Sequence, residues 1–242
     1  IVRDTLTIAL LKSVPDIKRQ PLFMTFIGFI SALPLFFIVI FGGQLSYGII
    51  GALVSSVGFV GLMAAVQDIA GDRYLKIREI IVAMPVHPLS YAMGIALAPL
   101  IVSAPGLLFF IALAIYLGTL TFYSLLWSII ILILCWSALS SLGFLISTYL
   151  QRASVYTLGM ISNFLGIALV FLPPVYYPEE MLGNLSWIAL FFPTSNAAGL
   201  IRVYSGLHEA SLTMIFVRWL ILAATTIFCA VATLTKAKWR ET

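Results

Sequence analysis

Charge is what this chain has least of. Asp, Glu, Lys and Arg make up 9% of its 242 residues, while 62% are hydrophobic and the mean hydropathy is +1.12. Soluble domains carry about a quarter charged residues, and a water-soluble fold of this length could not hide so much apolar surface. The surroundings must be largely lipid. Cysteine is nearly missing too: Cys135 and Cys229 both lie in apolar runs, where they read as small buried hydrophobes and not as a disulfide. No Gly-x-x-x-x-Gly-Lys-Ser/Thr loop occurs, which excludes ATP binding by that route. The apolar runs hold almost no acid, base or histidine, so the mid-membrane relay of an ion-coupled carrier is lacking. No set of catalytic residues gathers at one depth, so an enzyme is not expected. His208 beside Glu209 has no further ligand near it in sequence, which argues against a metal. The chain opens on Ile1 and not on Met; residues upstream are expected, and no cleavable signal is visible.

What remains is long apolar runs. A bilayer core of about 30 Å needs about 20 apolar residues as a helix, and six runs qualify: Leu22–Phe41, Leu45–Val66, Leu89–Leu117 with Pro99 and Pro105 inside it, Phe122–Leu150, Val155–Leu172 and Leu212–Leu234. Each must be helical, because lone strands leave their backbone groups unsatisfied in lipid. The expected fold is all-α: a polytopic membrane protein whose residues 1–242 form one transmembrane domain. Arg3, Lys12, Lys18 and Arg19 precede the first run, and Arg73, Lys76 and Arg78 follow the second. Arg152 follows the fourth, and Lys236, Lys238 and Arg240 follow the sixth. All of these fall on one side; Arg202 and Arg218 alone fall on the other. The positive-inside rule puts both termini in the cytoplasm, as in a multi-pass protein of the plasma membrane. The net charge of +4 then reports loop topology and not a nucleic-acid partner. Residues 1–20 place Val2, Leu6, Ala9, Leu10 and Ser13 at helical spacing, as in a helix lying in the headgroup plane.

One stretch breaks the pattern. Asp68, Asp72, Arg73, Lys76, Arg78 and Glu79 gather three acids and three bases between the second and third runs. Ile77, Ile80, Ile81 and Met84 form an apolar stripe, with Asp72, Lys76 and Glu79 on another face. Pro85 and Pro88 end the helix. A balanced two-sign face of this kind suits docking a protein, while an ordinary interfacial linker fits the same composition. At the other side, residues 174–211 are too long for a turn and too polar for a span. A helix tucked back against protein fits them best. Within the spans, Tyr156 and Asn163 are candidates for lining a pathway, whereas Ser137, Ser140, Ser141 and Ser147 suit helix packing.

Two stretches resemble the membrane subunits of type-2 ABC exporters. "DRYLKIREIIVAMPV", residues 72–86, lies along that family's "ERERGTLEQLLVTPV": Asp72, Arg73, Glu79 and Pro85-Val86 match, while Tyr74, Leu75 and Lys76 depart. "PPVYYPEEMLGNLSWIALFFPTSNAAGLIR", residues 173–202, lies along "GVFFPLELLPxWLxxIAxLNPLTYxxExxR", through Tyr176-Tyr177-Pro178, Trp187-Ile188-Ala189, Pro193-Thr194 and Arg202. The resemblance implies that residues 68–86 hold a cytoplasmic coupling helix, which docks a separate ATPase subunit through Asp72, Arg73, Lys76, Arg78 and Glu79. ATP and Mg would be bound by that partner, with no cofactor in this chain. It implies that residues 1–20 are the connecting helix and that residues 174–211 are re-entrant helices, with Tyr176, Tyr177, Pro178, Pro193 and Arg202 at an outer gate. It also implies a second copy of the chain, or a homologous permease, beside it. Without a charged ring in the spans, a small ion is a poor cargo; an amphiphile such as a lipid, lipid-linked glycan, peptide or drug fits better. An ion-coupled carrier and a haem-export type permease are the rival readings.

Overall fold

A computed structural model of the chain describes residues 1–20, 44–75, 87–150 and 153–236. The expected first span, Leu22–Phe41, lies outside the described residues, as do Lys76, Arg78, Glu79, Arg152, Lys238 and Arg240.

The described chain is mostly helical, with seven α-helices: α1 (Val2–Arg19), α2 (Leu45–Tyr74), α3 (Pro88–Tyr116), α4 (Phe122–Tyr149), α5 (Val155–Gly166), α6 (Pro193–Tyr204) and α7 (Leu212–Lys236). A π-helical turn, Ile167–Phe171, continues α5, and Leu172 N–H donates to Ile167 O at 2.9 Å. A 3₁₀ stretch, Glu179–Phe191, breaks at Gly183, whose φ of 53° needs a glycine. Four of these helices are long and apolar enough to cross a membrane: Leu45–Asp72, Leu89–Tyr116, Phe122–Tyr149 and Leu212–Thr235. Val155–Phe171 is a shorter apolar segment.

Helix α2 is the axis of the fold. It packs against α3, α4, α5 and α6, and from Tyr47 to Val57 every residue is buried. A helix apolar all round belongs in the middle of such a bundle. Small residues let α4 come close to it. A Cβ on Gly61 would stand 2.9 Å from Ser140 Oγ and 3.0 Å from the Trp136 ring, and one on Gly143 would stand 2.6 Å from Leu62 O. This is how helices associate in lipid, where apolar burial offers no gain. The outside is the mirror image of a soluble protein. Leu108 and Phe109 on α3, Ile130 and Ile133 on α4, and Phe216, Leu220, Ile227, Phe228 and Val231 on α7 are all exposed. An apolar patch of that extent is lipid-facing surface.

Local chemistry sets the helix ends. His87 caps α3 by accepting from Leu89 N–H at 3.2 Å, with Pro88 in the first turn. Gly118, at φ 69°, reverses the chain after α3. Thr121 and Ser124 form a reciprocal capping box that starts α4. Helix α2 runs to Tyr74, eight residues beyond the expected Val66, because nothing in Gln67–Asp72 stops a helix. Helix α1 packs on α3, where a Cβ on Gly94 would stand 2.7 Å from Ile8. Its buried stripe is Thr5, Ala9 and Ser13, while Val2, Leu6 and Leu10 are exposed. The expected stripe thus divides into a protein-facing part and an open apolar part.

Candidate functional site

Among the described residues, the buried charged side chains collect at two levels. At one, α1, α2 and α3 converge on Asp72, which is 4% exposed in the last turns of α2. Lys12 Nζ of α1 donates to Asp72 Oδ1 at 2.7 Å and to Oδ2 at 2.8 Å, and Tyr91 Oη of α3 donates to Oδ2 at 2.6 Å. Asp72 therefore does not stand on an open docking face: its carboxylate is used inside the chain, and burial demands such partners. Arg73 follows it within α2. The other expected docking residues, Lys76, Arg78 and Glu79, lie outside the described residues.

At the other level, α6 brings Arg202 under the linker that follows α5. Arg202 Nη1 donates to Pro174 O at 3.1 Å and Tyr177 O at 3.2 Å, and Nη2 donates to Val175 O. Its guanidinium lies 4.4 Å from the centre of the Tyr47 ring of α2, a cation–π contact. Burial pulls the Arg202 pKa down to about 10, with Tyr47 and Glu179 acting the other way, so the group stays charged at neutral pH. Next to it, Arg218 of α7 pairs with Glu179 at 2.6 Å and is 4% exposed. Gly199 makes the room: a Cβ there would run into the Arg218 guanidinium. The two arginines share a small cleft with Glu180 and His208, and His208 Nδ1 stands 3.6 Å from Glu180 Oε1.

Of the residues expected at this level, Tyr176 is buried and its hydroxyl hydrogen-bonds Ser55 Oγ of α2. Tyr177 Oη donates to Leu172 O at 2.8 Å. Pro178 precedes the 3₁₀ stretch and Pro193 opens α6. The structure thus brings Tyr176, Tyr177, Pro178 and Arg202 together, with Pro193 one helix away along α6. Asn163 and Tyr156 stand apart from them, exposed on α5. Sequence reasoning missed Lys12, Tyr91, Tyr47, Ser55, Glu179 and Gly199. Arg218 did carry a signal, as the one charge in an apolar run, and such a residue calls for a partner.

Tyr47 and Asp72 both belong to α2. Their spacing of about 25 residues corresponds to roughly 37 Å along a helix. The hydrocarbon core is about 30 Å thick, so α2 is long enough to carry the two polar levels on either side of it. Fold and polar levels together define a polytopic membrane protein. The family model described as "ABC-2 family transporter protein" matches residues 41–235, most of the chain, and the protein belongs to that family. No curated protein and no solved structure matches it. It is a transport subunit of the membrane-embedded kind.

Proposed function

We propose that the chain is the permease of an ATP-driven exporter, that a separate cytoplasmic ATPase subunit powers it, and that its cargo is hydrophobic or amphiphilic. The carrying observation is the placing of charge. Over the roughly 37 Å between Tyr47 and Asp72, α2 holds one acid, Asp68, near its inner end, and α3 and α4 hold no Asp, Glu, Lys or Arg. An ion-driven cycle would need titrating groups at that depth, and a chain without a nucleotide loop needs an outside motor. The motor docks on the stretch that continues from α2, through Arg73, Lys76, Arg78 and Glu79. Asp72 stays within the chain.

In this reading the chain crosses the plasma membrane six times with both termini inside. The 3₁₀ stretch and α6 are re-entrant and close the outer end, fastened by Arg202 and by the Arg218–Glu179 pair. Tyr156 and Asn163 line a pathway between two copies. A mid-span amide is costly in lipid, and a facing copy or a hydrated pathway would serve it.

The test is co-expression with a nucleotide-binding ATPase subunit from the same genome, followed by purification through a tag on this chain. The ATPase copurifies, and reversing the charges of Arg73 and Glu79 together abolishes copurification or ATP-driven transport. Full activity in that double reversal contradicts the reading.

A further inference from the structure

The stretch that follows α2 leaves two residues after Asp72 and returns into α3 three residues before Tyr91. A hydrogen bond of 2.6 Å between these two side chains closes its base. Lys12 then ties the closed base to α1, 60 residues earlier in the chain. We propose that Asp72 is a positioning residue: with Lys12 and Tyr91 it forms a clasp that makes α1, the end of α2 and the start of α3 move as one body when force reaches the connection between them. The inference rests on the docking function proposed above.

Three features carry it. First, the three groups come from three helices and meet at one carboxylate: parting α1 from α2 takes the cation away from the buried Asp72, and parting α3 from α2 takes away its tyrosine hydroxyl. Second, the packing around the clasp is tight. Gly94 of α3 admits Ile8 and Thr5 O of α1 at 2.7 and 3.1 Å from where a Cβ would stand, so α1 has little room to slide. Third, stability alone does not call for a buried ion pair, since apolar residues of matching size often replace one without loss. A pair kept at the root of a docking segment is better placed to fix geometry than to add stability. The clasp prevents the base of the segment from splaying, so a push on it becomes a displacement of the spans.

The test uses the complex of this chain with its ATPase, in proteoliposomes, with Cys135 and Cys229 replaced by Ala. Spin labels are placed at Tyr116→Cys and Met181→Cys, both on exposed side chains toward the outer side. The 116–181 distance distribution is read with and without ATP and vanadate. In the parent complex the nucleotide shifts the distribution. Asp72→Asn, and the size-matched pair Lys12→Met with Asp72→Leu, should bind the ATPase within about twofold of the parent yet lose the shift. The exchanged pair Lys12→Asp with Asp72→Lys should restore it. A full shift in Asp72→Asn overturns the clasp and leaves the proposed function standing. Loss of ATPase binding in Asp72→Asn also overturns it, because Asp72 would then be a docking contact. A parent complex that never binds the ATPase overturns the proposed function and the clasp with it.

Discussion

Arg202 spends its donors on three carbonyl oxygens of one short linker, at Pro174, Val175 and Tyr177, and lays its face on Tyr47. No other side chain offers a planar fork with five donors. Arg202→Lys should therefore fail to replace it, since a point-like ammonium cannot span these carbonyls. Hydrogen bonds from a charged group are worth about 1.5–3 kcal/mol each, so Arg202→Met should lower the unfolding midpoint in detergent by several degrees. The neighbouring pair behaves differently. Arg218→Met takes from the half-buried Glu179 carboxylate its hydrogen-bonded ion-pair partner, a loss of about 3 kcal/mol. Adding Glu179→Gln should recover most of it in the same melting experiment. Equal melting points for the single and double variants would show that the unpaired carboxylate carries no such penalty. Gly199→Val should reproduce the Arg218 loss without touching a charge, because the side chain takes the guanidinium's place.

At the scale of helices, the design rests on close approach of backbones and on hydroxyls that bridge them. Thr226 and Thr233 of α7 donate to Leu134 O and Ser141 O of α4 at 3.1 and 3.0 Å, while also bonding their own helix. Such bonds in lipid contribute about 0.6 kcal/mol each. Replacing both threonines by Val should therefore cost about 1 kcal/mol, read as a small drop in melting temperature. Gly143→Val should cost more, about 1–3 kcal/mol, because its side chain meets Leu62 O. Gly71→Ala is the control: among the described residues nothing lies within 4 Å of its Cβ position, and the change should leave stability level or slightly raised.

The extent of these helices was legible because apolar length and caps are local signals. Span limits at Leu45, Phe122, Val155 and Leu212 agree with the start of α2, α4, α5 and α7. What local signals cannot carry is pairing. Lys12 and Asp72 are 60 residues apart, and Glu179 and Arg218 are 39 apart, so neither partner could be read from the other. The wheel of α1 misled for the same reason. Periodicity gives a face, but only packing decides whether protein or lipid covers it, and α3 took Thr5, Ala9 and Ser13. Asp72 looked like the first residue of a solvated helix because the sequence does not show that α2 continues through it.

Over the whole molecule, the proposed function requires one orientation, with the clasped end of α2 toward the cytoplasm and the arginine level toward the outside. Everything about a motor subunit follows from that. The most direct measurement is accessibility of single cysteines to a membrane-impermeant maleimide in sealed cells and in inverted vesicles. Arg78→Cys and Glu79→Cys test the inner side, and Met181→Cys, exposed on the 3₁₀ stretch, tests the outer. Label should reach positions 78 and 79 only in inverted vesicles and position 181 in intact cells. Labelling of positions 78 or 79 from outside intact cells would contradict the account at its root.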